Sequence, residues 1–318
     1  MLKVFAAISL SLLSANALSQ ETYPSRPIHI VVPYTPGTGA DILARVLGPK
    51  ISERWHGAIV TDNKPGAGGN IGAESVARAA PDGYTLLLAA TSFSSNPALS
   101  TSLQYDPVKS FAPVALIATG ALGVYIHPSV PAKTVRELID YAKSQPGKLY
   151  YSSPGTGNVQ HLAMELLKLE SGMPITHVPY KGAGGAIADL VGGQVQATVA
   201  ALQTIAPHVR SGRVRMLAVM SAQRSAAFPE VPTLKEQGFD IEVETWYAMF
   251  GPAGTPEAIV AKWNAELNAL VNEADVKSVL AKQGLVAAGG TPQALGERVQ
   301  RELARWNALV TRAGIKAE

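Results

Sequence analysis

The chain has 318 residues, 47% of them hydrophobic and 16% charged, which fits one or two packed domains and excludes a disordered polymer. Its formal net charge is +3 and no run of Lys and Arg exceeds two residues, so no nucleic-acid surface is expected. The absence of cysteine excludes disulfides, thiolate metal sites and cysteine nucleophiles.

Met1–Lys3 is a short basic start, Val4–Leu13 is apolar apart from Ser9 and Ser11, and Ala15-Asn16-Ala17 offers small residues for cleavage. Residues 1–20 therefore read as a secretory signal peptide cut near Ala17–Gln20, giving a periplasmic protein. The apolar run is too short to cross a bilayer, which takes about 20 residues.

Ile28–Val32 is a β-branched run that predicts a buried strand. Pro36-Gly37-Thr38-Gly39 and a helical stripe of Ile42, Leu43, Val46 and Leu47 follow. Strands are expected over 58–61 and 84–90, with the Gly-rich loop 65–69 and a helix through Val76 between them. Thr91–Pro97 closes this set as a loop. A strand at 124–127 and a capping box at Thr134–Glu137 open a second set. Its strands are expected near 149–152, 175–178, 195–200 and 216–220. Gly-rich loops fall at 154–157 and 181–185, ahead of helices 161–169 and 186–191. Thr255-Pro256 and Thr291-Pro292 each read as an N-cap followed by Pro at the first helical position, opening helices striped by Trp263 and Trp306.

Strand, Gly-rich loop, helix, strand is the rhythm of a parallel α/β sheet. Two such sets with no low-complexity linker predict two domains joined by ordered hinges near 117–124 and 244–250. The first domain is expected to hold residues 22–120 and 246–318, the second 121–245.

A Gly-rich loop ahead of a helix either aims free backbone N–H groups at an anion or merely permits a tight turn. For 36–41 and 154–158, which open equivalent helices in the two sets, ligand contact is the favoured reading; for 65–70 the turn is favoured. Ile42 replaces the third Gly of a dinucleotide fingerprint, and no phosphate-binding P-loop, GxSxG or SxxK motif occurs. The six His are scattered without metal-ligand spacing, so no metal and no cofactor are expected. His161 either caps its helix or touches ligand; Asp41 complements its helix dipole; Asp62 and Asn63 read as a solvated turn. With no nucleophile–base pair in view, an enzyme acting in the cleft is disfavoured.

The strings YPSRPIHIVVPY (23–34), PGTGAD (36–41), NKPGAGGNIGAE (63–74), RAAPDGYTLLL (78–88), NPAL (96–99), PSVPAK (128–133), HVPYKG (177–182), GGQV (192–195) and PAGTP (252–256) follow one another as in the Bug family. The chain thereby resembles the extracytoplasmic receptors of tripartite tricarboxylate transporters. That resemblance implies an α/β two-domain periplasmic-binding-protein clamshell of type II-like form. It also implies a small carboxylate pinched between the domains, membrane transporter subunits as partners, and a monomer. Carried over, it assigns ligand contacts to Tyr34, Thr38, Gly39, Ala40, Thr91, Ser92 and Asn96 in the first domain. In the second it assigns Ser153, Gly157, Asn158, His161, Tyr180, Ala200 and Ala201.

The first loop departs from the usual PGGGTD at Thr38 and Ala40. Ala200 and Ala201 stand where many relatives carry an Asp or Asn that could meet an ammonium group. A dicarboxylate or aromatic carboxylate is therefore favoured over an amino acid. A sensor presenting its closed form to a signalling receptor is the alternative to transport.

Overall fold

The computed structural model describes residues 23–100 and 103–315, and the expected signal peptide lies outside the described residues. No helix among them is long and apolar enough to cross a membrane. The first elements are β1 (Ile28–Val32), α1 (Gly39–Trp55), β2 (Ile59–Asn63), α2 (Asn70–Ala77), β3 (Thr85–Ala90), α3 (Ser92–Leu99) and the long strand β4 (Phe111–Ile126). Then come α4 (Val135–Ser144), β5 (Tyr150–Ser153), α5 (Val159–Ser171), β6 (Thr176–Pro179), α6 (Ala183–Val191), β7 (Ala197–Ala201), α7 (Leu202–Arg210) and β8 (Arg215–Val219). The chain closes with β9 (Glu244–Pro252), α8 (Glu257–Leu270), α9 (Ala274–Lys282), β10 (Leu285–Ala287) and α10 (Pro292–Ala313).

The strands form one hydrogen-bonded array, β2-β1-β3-β9-β4-β7-β5-β6, with β10 and β8 also paired to β4. Strand β4 belongs to both halves of it. Residues 111–121 pair antiparallel with β9, whereas Leu122–Ile126 pair with β7 and β8. The first lobe is thus β1–β3, β9, β10 and the start of β4; the second is β5–β8 and its end. Helices α1, α8 and α9 cover one face of the first lobe, and α2, α3 and the start of α10 cover the other. In the second lobe α4 and α5 cover one face, and α6 and α7 the other.

Capping residues fix several helix starts where the sequence expects them. Thr134 Oγ1 accepts from Glu137 N, and the Glu137 carboxylate returns a bond by accepting from Lys133 N. Thr291 Oγ1 accepts from Ala294 N ahead of Pro292. At Thr255-Pro256 the expectation needs correcting: the helix begins at Glu257, and the Thr255 hydroxyl donates back to Pro252 O rather than capping it. Strand β4 starts at Phe111, well before the expected 124, because the apolar run through its glycines stays extended while it is paired on both sides. Within Thr91–Pro97, read as a loop, a helix begins at Ser92 and runs to Leu99 despite Pro97, which lies near its end.

Helix α10 is shared as well. Leu295 and Val299 sit in the core of the first lobe, Trp306 and Leu309 in that of the second. The end of the segment expected in the first domain thus packs, through Trp306 and Leu309, on the core of the second. Trp306→Ala removes a fully buried side chain from the second core and is expected to cost about 3–5 kcal/mol, read from the denaturant midpoint at constant slope. A loss under about 1 kcal/mol would contradict this docking.

Candidate functional site

Strand directions decide where the loops emerge. β1 and β3 are parallel, β3 and β4 each run antiparallel to β9, and β7 runs antiparallel to β4 and parallel to β5. The carboxyl ends of β1, β3, β5 and β7 therefore all face the point where β4 passes between lobes, near Ala121–Leu122. The space beyond strand carboxyl ends is where open α/β sheets take ligands. The segments after β1 (33–38), β3 (91) and β5 (154–158), and the direct junction of β7 with α7 at Ala201–Leu202, therefore lie at this end of the strands.

In the first wall, Thr38 is the N-cap of α1, yet its side chain makes no capping bond; its hydroxyl donates to Thr35 O instead. The first-turn N–H groups of Gly39, Ala40 and Asp41 thus lack a side-chain cap, at the positive end of a 17-residue helix. Gly39 is required by close approach: a Cβ there would stand 2.3 Å from the Tyr247 hydroxyl. Tyr247, on β9, is a gap residue that sequence reasoning missed, since 244–250 reads only as a hinge.

Asp41 is buried in that first turn and accepts from Gly37 N at 2.9 Å, from Arg45 Nε and from Asn63 Nδ2. Burial alone would raise its pKa, but the bonds from Arg45, Gly37 and Asn63 outweigh it and hold the carboxyl below its usual value. Asn63 also donates to Tyr34 O, and Asp62 pairs with His29. The reading of 62–63 as a solvated turn is thereby corrected: Asn63 ties β2 to the loop after β1.

The Tyr34 hydroxyl pairs with Ser92 Oγ at 2.7 Å and accepts from Ala90 N. Asn96 Nδ2 donates to Gly68 O and Asn70 Oδ1. Tyr34, Ser92 and Asn96 line one cavity of about 10 Å³ with Asn70 and Tyr105, room for a single water. Thr91 is buried; its Oγ1 accepts from Trp246 N and so fastens β3 to β9.

The second wall spends its polar groups inward. Asn158 Oδ1 caps α5 by accepting from His161 N, and Gly157 N donates to His161 Nδ1 at 2.9 Å. That bond places the ring proton of His161 on Nε2. The ring stacks on His177 at 3.9 Å, and His177 Nε2 pairs with the fully buried Ser153 Oγ at 2.7 Å. The His161 ring thus accepts from the residue before the Asn158 cap and lies against His177 inside the lobe. Tyr180 donates to Asp189. Ala200 pairs with Gly123 of β4, and Ala201 is the N-cap of α7, which has no side-chain cap.

Burial first, and then the stacked His177, push His161 down to about 4 against the pull of Glu165. The unfolded imidazole titrates near 6.5, so between about 6.5 and about 4 the unfolded chain binds more protons. Stability should therefore fall as pH drops through that window. His161→Gln removes this share, and chemical denaturation across pH should show a shallower slope for the variant. An identical slope would contradict the assignment.

Residues 43–315 match the family model described as the tripartite tricarboxylate transporter family receptor. Among relatives, BugT of Bordetella pertussis is 33% identical over 99% of this chain and 99% of its own. Among solved structures, Rpa4515 of R. palustris with adipate is 34% identical, with a TM-score of 0.78 over 93% of this chain and 100% of its own. MatC from Rhodopseudomonas palustris with bound malate is 32% identical, with a TM-score of 0.74 over 91% of this chain and 100% of its own. With its two lobes gathered on one shared strand, this chain belongs to the tripartite tricarboxylate transporter receptor family, the Bug/TctC periplasmic solute-binding receptors.

Proposed function

We propose that this chain captures a small carboxylate in the gap between its lobes and delivers it to the membrane subunits of a tripartite transporter, without transforming it. The observation that carries this reading is the uncapped first turn of α1 at a gap onto which four strand ends open. An anion there completes the hydrogen bonds of Gly39, Ala40 and Asp41 and meets the positive end of the helix. Tyr34, Thr38, Ser92 and Tyr247 form the rest of that wall in this account. Tyr180, Ala200 and Ala201 face it from the second lobe, backed by Ser153, Gly157, Asn158 and His161.

Adipate and malate, held by the two similar structures, are both dicarboxylates without an ammonium group. The small apolar Ala200 and Ala201 suit that class better than an amino acid, because neither offers an acceptor to an ammonium. Export by removal of residues 1–20 would place the receptor in the periplasm, where a monomer suffices for this role.

Thr38→Asp separates the chemistry from the fold. Asp is a stronger N-cap than Thr, so the variant should be as stable as the parent or up to about 1 kcal/mol more stable. Its carboxylate would occupy the same N–H groups and repel an anion. Calorimetric titration with malate, adipate and aspartate should show a dicarboxylate bound more tightly than aspartate, and at least a tenfold loss of that affinity in Thr38→Asp. Undiminished binding in the variant would overturn the anion site, and preference for aspartate would overturn the ligand class.

A further inference from the structure

The two lobes touch across the gap at two places where a side chain of one rests on a glycine of the other. On the α10 side, Leu99 ends α3 of the first lobe and lies over Gly157 of the second. A Cβ added to Gly157 would stand 2.5 Å from Leu99 Cδ1, and neighbouring Ala98 packs on the core of the second lobe. On the opposite face, Gln203 in the first turn of α7 lies over Gly284 of the first lobe. A Cβ added to Gly284 would stand 2.3 Å from Gln203 Cβ. Both glycines have positive φ, 80° and 64°.

We propose that Leu99–Gly157 and Gln203–Gly284 are reciprocal latches that set the closed position of the lobes, and through it the affinity and residence of the ligand. The proposal rests on the receptor reading above. Each lobe supplies one projecting side chain and one socket, and the sockets exist only because both residues lack a Cβ. An added methyl at Gly284 meets the root of the Gln203 side chain and must hold the lobes apart, whereas at Gly157 it meets the end of Leu99, so that either the leucine turns within its packing or the lobes separate. The pairs lie on opposite faces of the array: Phe93 of α3 packs on the same face as α10, whereas Leu202 and Ile205 of α7 pack on the other. Together they resist rocking in either direction about β4.

The two rims differ in chemistry. Leu99 closes apolar surface onto backbone. Gln203 brings a buried Oε1 that has no hydrogen-bond partner. An acceptor cut off from water disfavours closure at that rim.

The chain contains no cysteine, so a spin-label pair can be introduced cleanly at exposed Glu53 of α1 and exposed Asp140 of α4. Pulsed electron paramagnetic resonance then reads the distance between lobes with no ligand present, so a failure here is distinct from a failure of the carboxylate reading. The labelled parent is expected to show a short-distance population. Gly157→Ala and Gly284→Ala should each lower it at least tenfold, and Leu99→Ala added to Gly157→Ala should restore at least half of it. Gln203→Met, which keeps chain length and removes the unpaired oxygen, should raise the population at least twofold and leaves both sockets intact. A parent without a short population overturns the proposal. So does Gly157→Ala or Gly284→Ala leaving that population intact, Leu99→Ala failing to rescue it, or Gln203→Met failing to raise it.

Discussion

Strand β4 is the constraint on which the rest depends. Its 16 residues are paired along nearly their whole length, first with β9 and β10 and then with β7 and β8, so one backbone indexes both sheets. Because β3 and β7 approach it from opposite ends, their carboxyl termini must converge on its midpoint. Packing there is tight: a Cβ on Gly120 would stand 2.6 Å from Thr245 Oγ1, and one on Gly123 would stand 2.7 Å from the Tyr125 hydroxyl. In the receptor reading, a swing of one lobe against the other would act on this crossover and carry the strand-end segments with it.

The two walls divide the chemistry between them. The first lobe leaves the start of α1 uncapped and neutralises the one buried carboxylate beside it. Asp41 would repel an anion, but Arg45, Asn63 and Gly37 N already share its charge. Around residues 153–161 the second lobe satisfies its own polar groups: Asn158 caps α5, His161 takes Gly157 N, and Ser153 pairs with His177. Donors come from one side and a preformed surface from the other. In the receptor reading, such a cleft would need no charged side chain to hold a carboxylate. Ser153 stands beside His177 but is sealed inside its lobe.

Much of the fold was legible because short β-branched runs and capping residues are local signals. Ile28–Val32, Thr134–Glu137 and Thr291-Pro292 each declare their element within a few residues. The reading faltered where tertiary pairing overrides local preference. The glycines of β4 hid a continuous strand, and Pro97 hid a helix. At the site, the Gly-rich loops were visible, but their division of labour was not. That α1 is uncapped while α5 is capped depends on rotamers of Thr38 and Asn158 that spacing does not encode. Tyr247 and Gln203 lie in no quoted motif, and Leu99 only ends the string NPAL; what singles them out is that glycines 39, 284 and 157 lie against them across the fold.

The central claim is that main-chain amides at the start of α1 receive the anion, and amide resonances report on it directly. In a titration of isotopically labelled protein with malate and adipate, the signals of Gly39 and Ala40 should shift saturably, with Asp41 following. The Gly157 and His161 amides, already bonded within the second lobe, should move less. Saturable shifts confined to residues away from the gap, with Gly39 and Ala40 unmoved, would contradict the account.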